Sequence, residues 1–90
     1  MLKLDIAKSA ADFISARVPK HQRQIVARIQ DLRSDPEPAD SKPLKGGKRQ
    51  FRRADIGEYR ILYQVEGDML YVLAVGKRND DEVYRRFGKR

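Results

Sequence analysis

Ninety residues, no cysteine, a single histidine and a formal net charge of +7 describe one small domain, 1–90, whose partners are sought first among polyanions. A disulfide framework and a thiolate metal site are excluded, the lone His21 builds no metal cluster, and the longest apolar run, Met69 to Val75, is too short to cross a membrane. The N-terminus lacks the apolar centre of a signal peptide, so a cytoplasmic protein without metal or cofactor is expected.

"LKLDI" (2–6) alternates apolar and polar and reads as a half-buried strand. Ser9 is the expected cap of a helix carrying Ala10, Phe13 and Ile14 on one stripe, which must end before Pro19 because the residue ahead of a proline is pushed out of the helical region. Pro19 opens a second helix to about Ser34, with Ile25, Ile29 and Leu32 turned inward and Arg23, Gln24, Arg28 and Asp31 outside the stripe. His21, in its first turn, is expected to be exposed and without function. "SDPEPADSKPLKGG" (34–47) reads as a long loop without regular structure. "KRQFRRAD" (48–55), "EYRILYQV" (58–65) and "MLYVLAV" (69–75) then form three strands of a meander. The order β-α-α-β-β-β predicts an α+β domain whose N-terminal helix hairpin packs on one face of an antiparallel sheet, leaving the other face free for function.

Charge is unevenly placed. Residues 42–60 carry seven cations against two anions and residues 77–90 six against three, so the basic excess flanks the last strands. Along "EYRILYQV", Tyr59, Ile61, Tyr63 and Val65 belong under the helices, which puts Arg60 with Leu62 and Gln64 on the opposite face. A cation at mid-sheet needs an anion. Asp55, Glu58 or Glu82 supplies it internally, or a bound phosphate does so from outside. Lys48, Arg49, Arg52 and Arg53 on or before one strand, with Lys77 and Arg78 at the exit of another, suit phosphate, because a guanidinium fork matches its oxygens and stays charged. Arginine cannot act as a base. If RNA is cut here, Tyr84, Lys77 or Glu82 must take the 2′-hydroxyl proton. Phe51 lies among these cations, whereas Tyr59, Tyr63 and Tyr71 read as sheet packing.

At "IGEYRILYQV" followed by "VLAVGKRNDDEVYRRF", the sequence resembles the RelE family within the RelE/ParE superfamily of type II toxin–antitoxin toxins. The succession of helix hairpin, proline-rich connection, "LKG", basic strand, "GEYRILY", "VGKR" and "EVY" carries the likeness over residues 1–87. It implies a ribosome-dependent endoribonuclease, an mRNA interferase that cuts mRNA in the ribosomal A site through attack of the RNA's own 2′-hydroxyl and so inhibits translation. It also implies partners: the ribosome with its mRNA, and a RelB-like antitoxin, acidic and partly disordered, in a hetero-oligomeric complex. By matching motif, Arg60 of "EYR" resembles the phosphate-stabilising arginine, Arg78 of "GKR" the arginine near the leaving group, and Tyr84 of "EVY" the general base. Arg53 stands where the family has the second of two active-site lysines, and Phe51 where it has the first. Lys45 of "LKG", with Lys48, Arg49, Arg52 and Lys77, is expected to bind RNA. The alternative is a ParE-like inhibitor of DNA gyrase on the same fold, without nuclease activity. Because the resemblance needs Arg60 and Arg78 together, a three-residue Glu66-Gly67-Asp68 loop pairing Val65 with Met69 is expected; a two-residue turn between regular strands would bring Lys77 there instead.

Overall fold

The computed structural model describes residues 1–44, 51–79 and 83–84. Strand β1 (Lys3–Ile6) runs through Ala7 into helix α1 (Lys8–Ser15), and extended Val18 precedes helix α2 (Pro19–Ser34). Ala10, Phe13 and Ile14 of α1 and Ile25, Ile29 and Leu32 of α2 are buried. Removing each large side chain from water is worth about 1.5–3 kcal/mol, more than local propensity supplies. The expected Ser9 cap is not formed. Ala7 precedes the helix instead, its N–H completing the ladder to Val72 O at 2.9 Å, so the helix starts directly off the strand and Ser9 falls inside its first turn. At the other end Arg17 donates from Nε to Phe13 O at 3.1 Å and lies 4.2 Å over the Phe13 ring.

Four further strands follow: β2 (Lys42–Pro43), β3 (Phe51–Ile56), β4 (Tyr59–Glu66) and β5 (Met69–Lys77), in the sheet order β1-β5-β4-β3-β2. The α+β class, the helix hairpin and the antiparallel β3-β4-β5 meander are as expected, with two corrections to the sheet. β1 lies parallel to β5, so the sheet is mixed, and this edge position puts Leu4 and Ile6 against the core beside Leu70 and Val72. The proline-rich connection also contains a strand, β2, which pairs with β3 through Lys42↔Arg53 and Pro43↔Arg52. Pro43 is tolerated because β2 is an edge. The connection is pinned from beneath: the buried Tyr63 hydroxyl donates to Pro36 O at 2.6 Å and Ser41 Oγ to Pro38 O at 2.9 Å. No helix among the described residues is long and apolar enough to cross a membrane.

The helices cover the sheet face formed by Ala54, Tyr59, Ile61, Tyr63, Leu70, Val72 and Val75. The opposite face is not wholly free. Leu62, Ala74 and Val83 form a second, smaller cluster there, with Leu44 and Tyr84 packed against it.

The β4–β5 hairpin departs from the expected loop. It closes on a two-residue Gly67-Asp68 turn with Glu66 opposite Met69 and Gly67 at φ 61°. A bulge then intervenes, since Tyr63 pairs with Val72 but Leu62 with Ala74, leaving Leu73 as the extra residue. Val72 and Val75 both reach the helix-covered core, which a regular strand forbids for residues three apart. Beyond the bulge Arg60 faces Gly76. The turn expectation is therefore wrong in length, while the bulge restores the side-chain parity for which that loop was invoked.

Candidate functional site

Alternation along β3 buries Ala54 on the helix side and turns Arg53 and Asp55 to the other face, where Asp55 stands directly opposite Arg60. The pair is bidentate. Arg60 donates from Nε to Asp55 Oδ1 at 2.8 Å and from Nη2 to Oδ2 at 3.1 Å, and its Nη1 donates to the Tyr84 hydroxyl at 3.1 Å. The Arg60 side chain is only 15 % exposed, so the carboxylate offsets a charge that would be costly alone. Arg78 enters from the end of β5, its N–H bonded to Glu58 O at 3.0 Å and its Nη1 3.7 Å from Asp55 Oδ2.

Tyr84 reaches Arg60 because its own segment is seated on the sheet. Val83 fills the second cluster above Leu62 and Ala74, and Gly76 lets it approach: a Cβ at Gly76 would lie 2.9 Å from the Val83 nitrogen. Beside these residues opens a cleft of about 190 Å³ lined by Asp40, Lys42, Arg53, Asp55 and Arg60. Asp40 is held there by Arg28, whose Nη2 donates to its carboxylate at 2.9 Å. The hydrogen bond from Arg60 holds the Asp55 carboxyl below the usual carboxylate range, with the charges of Arg60, Arg78 and Arg53 reinforcing it against partial burial. Asp55 in turn raises Arg60 above the ordinary arginine value. The result is a half-buried set of guanidinium donors around one internal carboxylate, open on one side.

Of the residues singled out in the sequence, Arg60, Arg78 and Tyr84 converge on one centre and Arg53 lines the adjoining cleft. Arg52 does not join them. It pairs with Tyr63 in register and is engaged by Ser41, donating from Nη2 to Oγ at 2.8 Å and from Nε to Oγ at 3.2 Å, on the side of β3 that faces the helices. Lys77 pairs with Tyr59 and so belongs by register to that same side. Lys45, Lys48, Arg49 and Glu82 lie outside the described residues. His21 is half-buried rather than exposed, sharing a 2.7 Å hydrogen bond between Nδ1 and the Tyr59 hydroxyl, because the first turn of α2 overlies β4. Lys42 and Asp40 of the cleft were missed; only the pairing of β2 with β3 brings Lys42 opposite Arg53, and nothing in a loop-like sequence announces it. Asp55 was legible as a counter-ion to Arg60 but not as the group shared with Arg78.

The ParE toxin family of type II toxin–antitoxin systems (parDE) matches residues 4–82. Among solved structures, the chain is similar to a chain of the archaeal RelE–RelB complex from Pyrococcus horikoshii OT3, with 22% identity and a TM-score of 0.77 over 88% of this chain and 97% of that one. It is similar to the isolated E. coli RelE toxin at 22% identity and a TM-score of 0.75, covering 94% and 93% respectively. A toxin–antitoxin complex from Mycobacterium tuberculosis aligns at 23% identity and a TM-score of 0.69, covering 86% and 98%. No curated protein matches the sequence. At these identities the structural likeness shows a shared fold.

Proposed function

The chain belongs to the ParE toxin family within the RelE/ParE superfamily of type II toxin–antitoxin systems, and we propose that its activity is that of the RelE branch: ribosome-dependent cleavage of mRNA in the A site, which halts translation. The observation that carries this reading is the hydrogen bond from Arg60 to the Tyr84 hydroxyl beside Arg78 and an open cationic cleft. Cleavage by internal attack needs a group to take the 2′-hydroxyl proton, donors for the extra negative charge on the pentavalent phosphorus, and charge or a proton for the departing 5′-oxygen. Tyr84 fits the first role, Arg60 and Arg53 the second, and Arg78 the third. Products would be a 2′,3′-cyclic phosphate and a free 5′-hydroxyl. Lys42 joins the RNA-binding set by its place in the cleft; Lys45, Lys48 and Arg49 remain proposed contacts to the nucleic-acid backbone, whereas Lys77 lies by register on the opposite side of the sheet.

The partner in this reading is a cognate antitoxin with an acidic, partly disordered segment, drawn to a domain of net charge +7 by electrostatic steering. Two of the three similar structures described above are toxin–antitoxin complexes. The toxin would act in the cytoplasm, where translating ribosomes are. The second reading, inhibition of DNA gyrase, is favoured by the name of the matching family. Primer extension on mRNA from cells expressing the chain separates the two. Discrete cuts within translated codons are expected; DNA damage with intact mRNA would overturn the endoribonuclease reading in favour of gyrase.

A further inference from the structure

We propose that Asp55 is the positioning residue of this site: it fixes the plane of the Arg60 guanidinium so that its remaining donors receive a phosphodiester, and it cedes Arg78 to that phosphate on binding. The proposal rests on the endoribonuclease reading above. A guanidinium carries five N–H donors. In Arg60 three are used, by the two oxygens of Asp55 and by Tyr84. Among the described residues this leaves one N–H on Nη1 and one on Nη2 for a phosphate to accept. Without the carboxylate the arginine would keep its charge but lose the two bonds that set its plane.

Arg78 is held differently. At 3.7 Å from Asp55 it is an ion pair without a hydrogen bond, and its side chain is 47 % exposed. Among the described residues its guanidinium is drawn to Asp55 by charge without a hydrogen bond, so an incoming phosphate competes for it. Asp55 itself adds negative charge beside a site for an anion and must weaken ground-state binding. That opposition gives the proposal its signature: removing the charge helps binding and harms the chemical step. A merely structural salt bridge would change stability and move neither quantity separately.

The experiment is single-turnover cleavage of mRNA on programmed ribosomes by the wild type, Asp55→Asn and Asp55→Glu. Each is checked by thermal denaturation, and the Arg60 Nε–H resonance is followed by NMR. Asp55→Asn is expected to lose the slowly exchanging Arg60 Nε–H signal and to cut at a saturating rate about 10- to 100-fold below wild type. Its half-saturating ribosome concentration should be unchanged or lower. Asp55→Glu keeps the charge, guards against a variant that simply unfolds, and should recover part of the rate. Asp55→Asn cutting as fast as wild type or faster, or retaining the Arg60 signal, overturns the proposal. So does a weakened half-saturation with an unchanged saturating rate. A wild-type protein that leaves mRNA intact on ribosomes overturns the endoribonuclease reading and this proposal with it, an outcome distinct from failure of Asp55 alone.

Discussion

The Tyr84 hydroxyl receives a hydrogen bond from Arg60, which has only protons to give, so the tyrosine oxygen acts as acceptor toward the sheet. Replacing Tyr84 by phenylalanine keeps the ring that packs on the second cluster and deletes that oxygen. Tyr84→Phe is therefore expected to cut mRNA on ribosomes about 100-fold more slowly or worse, with stability lowered by about 0.5–1.5 kcal/mol. An unchanged rate would move the base to another residue. Arg60→Lys retains charge but cannot span two carboxylate oxygens and a phenol at once, since an ammonium is a compact point charge on a flexible stem. Its expected cost is about 100- to 1,000-fold in single-turnover rate, read against ribosome binding measured separately. Equal rates for lysine and arginine here would reduce Arg60 to a simple positive charge.

Strand β5 organises the site more than any other element, because it carries the bulge at Leu73, the glycine under Val83 and the approach to Arg78. Gly76→Ala would drive a methyl group into the Val83 backbone and lift residues 83–84 off the sheet. The expectation is a loss of about 1–3 kcal/mol in chemical denaturation together with loss of cleavage, as Tyr84 leaves Arg60. Gly67→Ala is the contrasting variant. It meets no atom within 4 Å but sits at φ 61°, so it should cost stability through backbone strain and leave cleavage intact. A Gly76→Ala protein with full activity would show that the seating of Val83 does not matter for Tyr84. At this scale the sequence was readable where one period dominates: the stripes of α1 and α2 and the alternation of Tyr59, Ile61 and Tyr63 gave the helix-covered face directly. It was unreadable where two patterns meet. The apolar residues of β5 cannot reveal which of them is extra, and a two-residue strand ending in Pro43 looks like the loop around it. Hence the convergence of Arg60, Arg78 and Tyr84 was legible by motif, whereas Lys42 and the dual role of Asp55 required the sheet itself.

For the molecule as a whole, acid should act through the same carboxylate. Asp55 titrates below the usual range chiefly because Arg60 donates to it. A carboxylate more acidic in the folded than in the unfolded chain contributes stability that is present above the unfolded value, about pH 4, and lost as the pH falls through the folded value. The stability gap between wild type and Asp55→Asn should therefore be constant from about pH 7 to about pH 5 and close in stronger acid, as followed by urea denaturation. A gap that persists undiminished well below the carboxylate range would assign it to packing rather than charge. Arg60 is raised by Asp55 above an already high value, so it adds no alkaline limb at working pH. With a net charge of +7, association with the ribosome or an acidic antitoxin should slow steeply as salt is added; on-rates by rapid mixing at several ionic strengths would show it. On-rates insensitive to salt would mean that apolar contact governs encounter.

The bulge at Leu73 also divides the β4–β5 hairpin into two stretches that keep separate phase. Everything from Tyr63 to Val72 closes on its own turn, and Arg60, Leu62, Ala74 and Gly76 keep their faces whatever that tip contains, provided the pairing Tyr63↔Val72 is preserved. The part open to change is the exposed end Glu66-Gly67-Asp68, since Tyr63, Leu70 and Val72 belong to the core and residues 69–72 pair with β1. Changes of charge or length at that end should leave the chemistry below untouched, whereas deleting the single residue Leu73 would transmit a half-period error to one side of the junction, exchanging inward for outward residues along that stretch. Tolerance to insertion and intolerance to deletion would then lie only a few residues apart on the same hairpin.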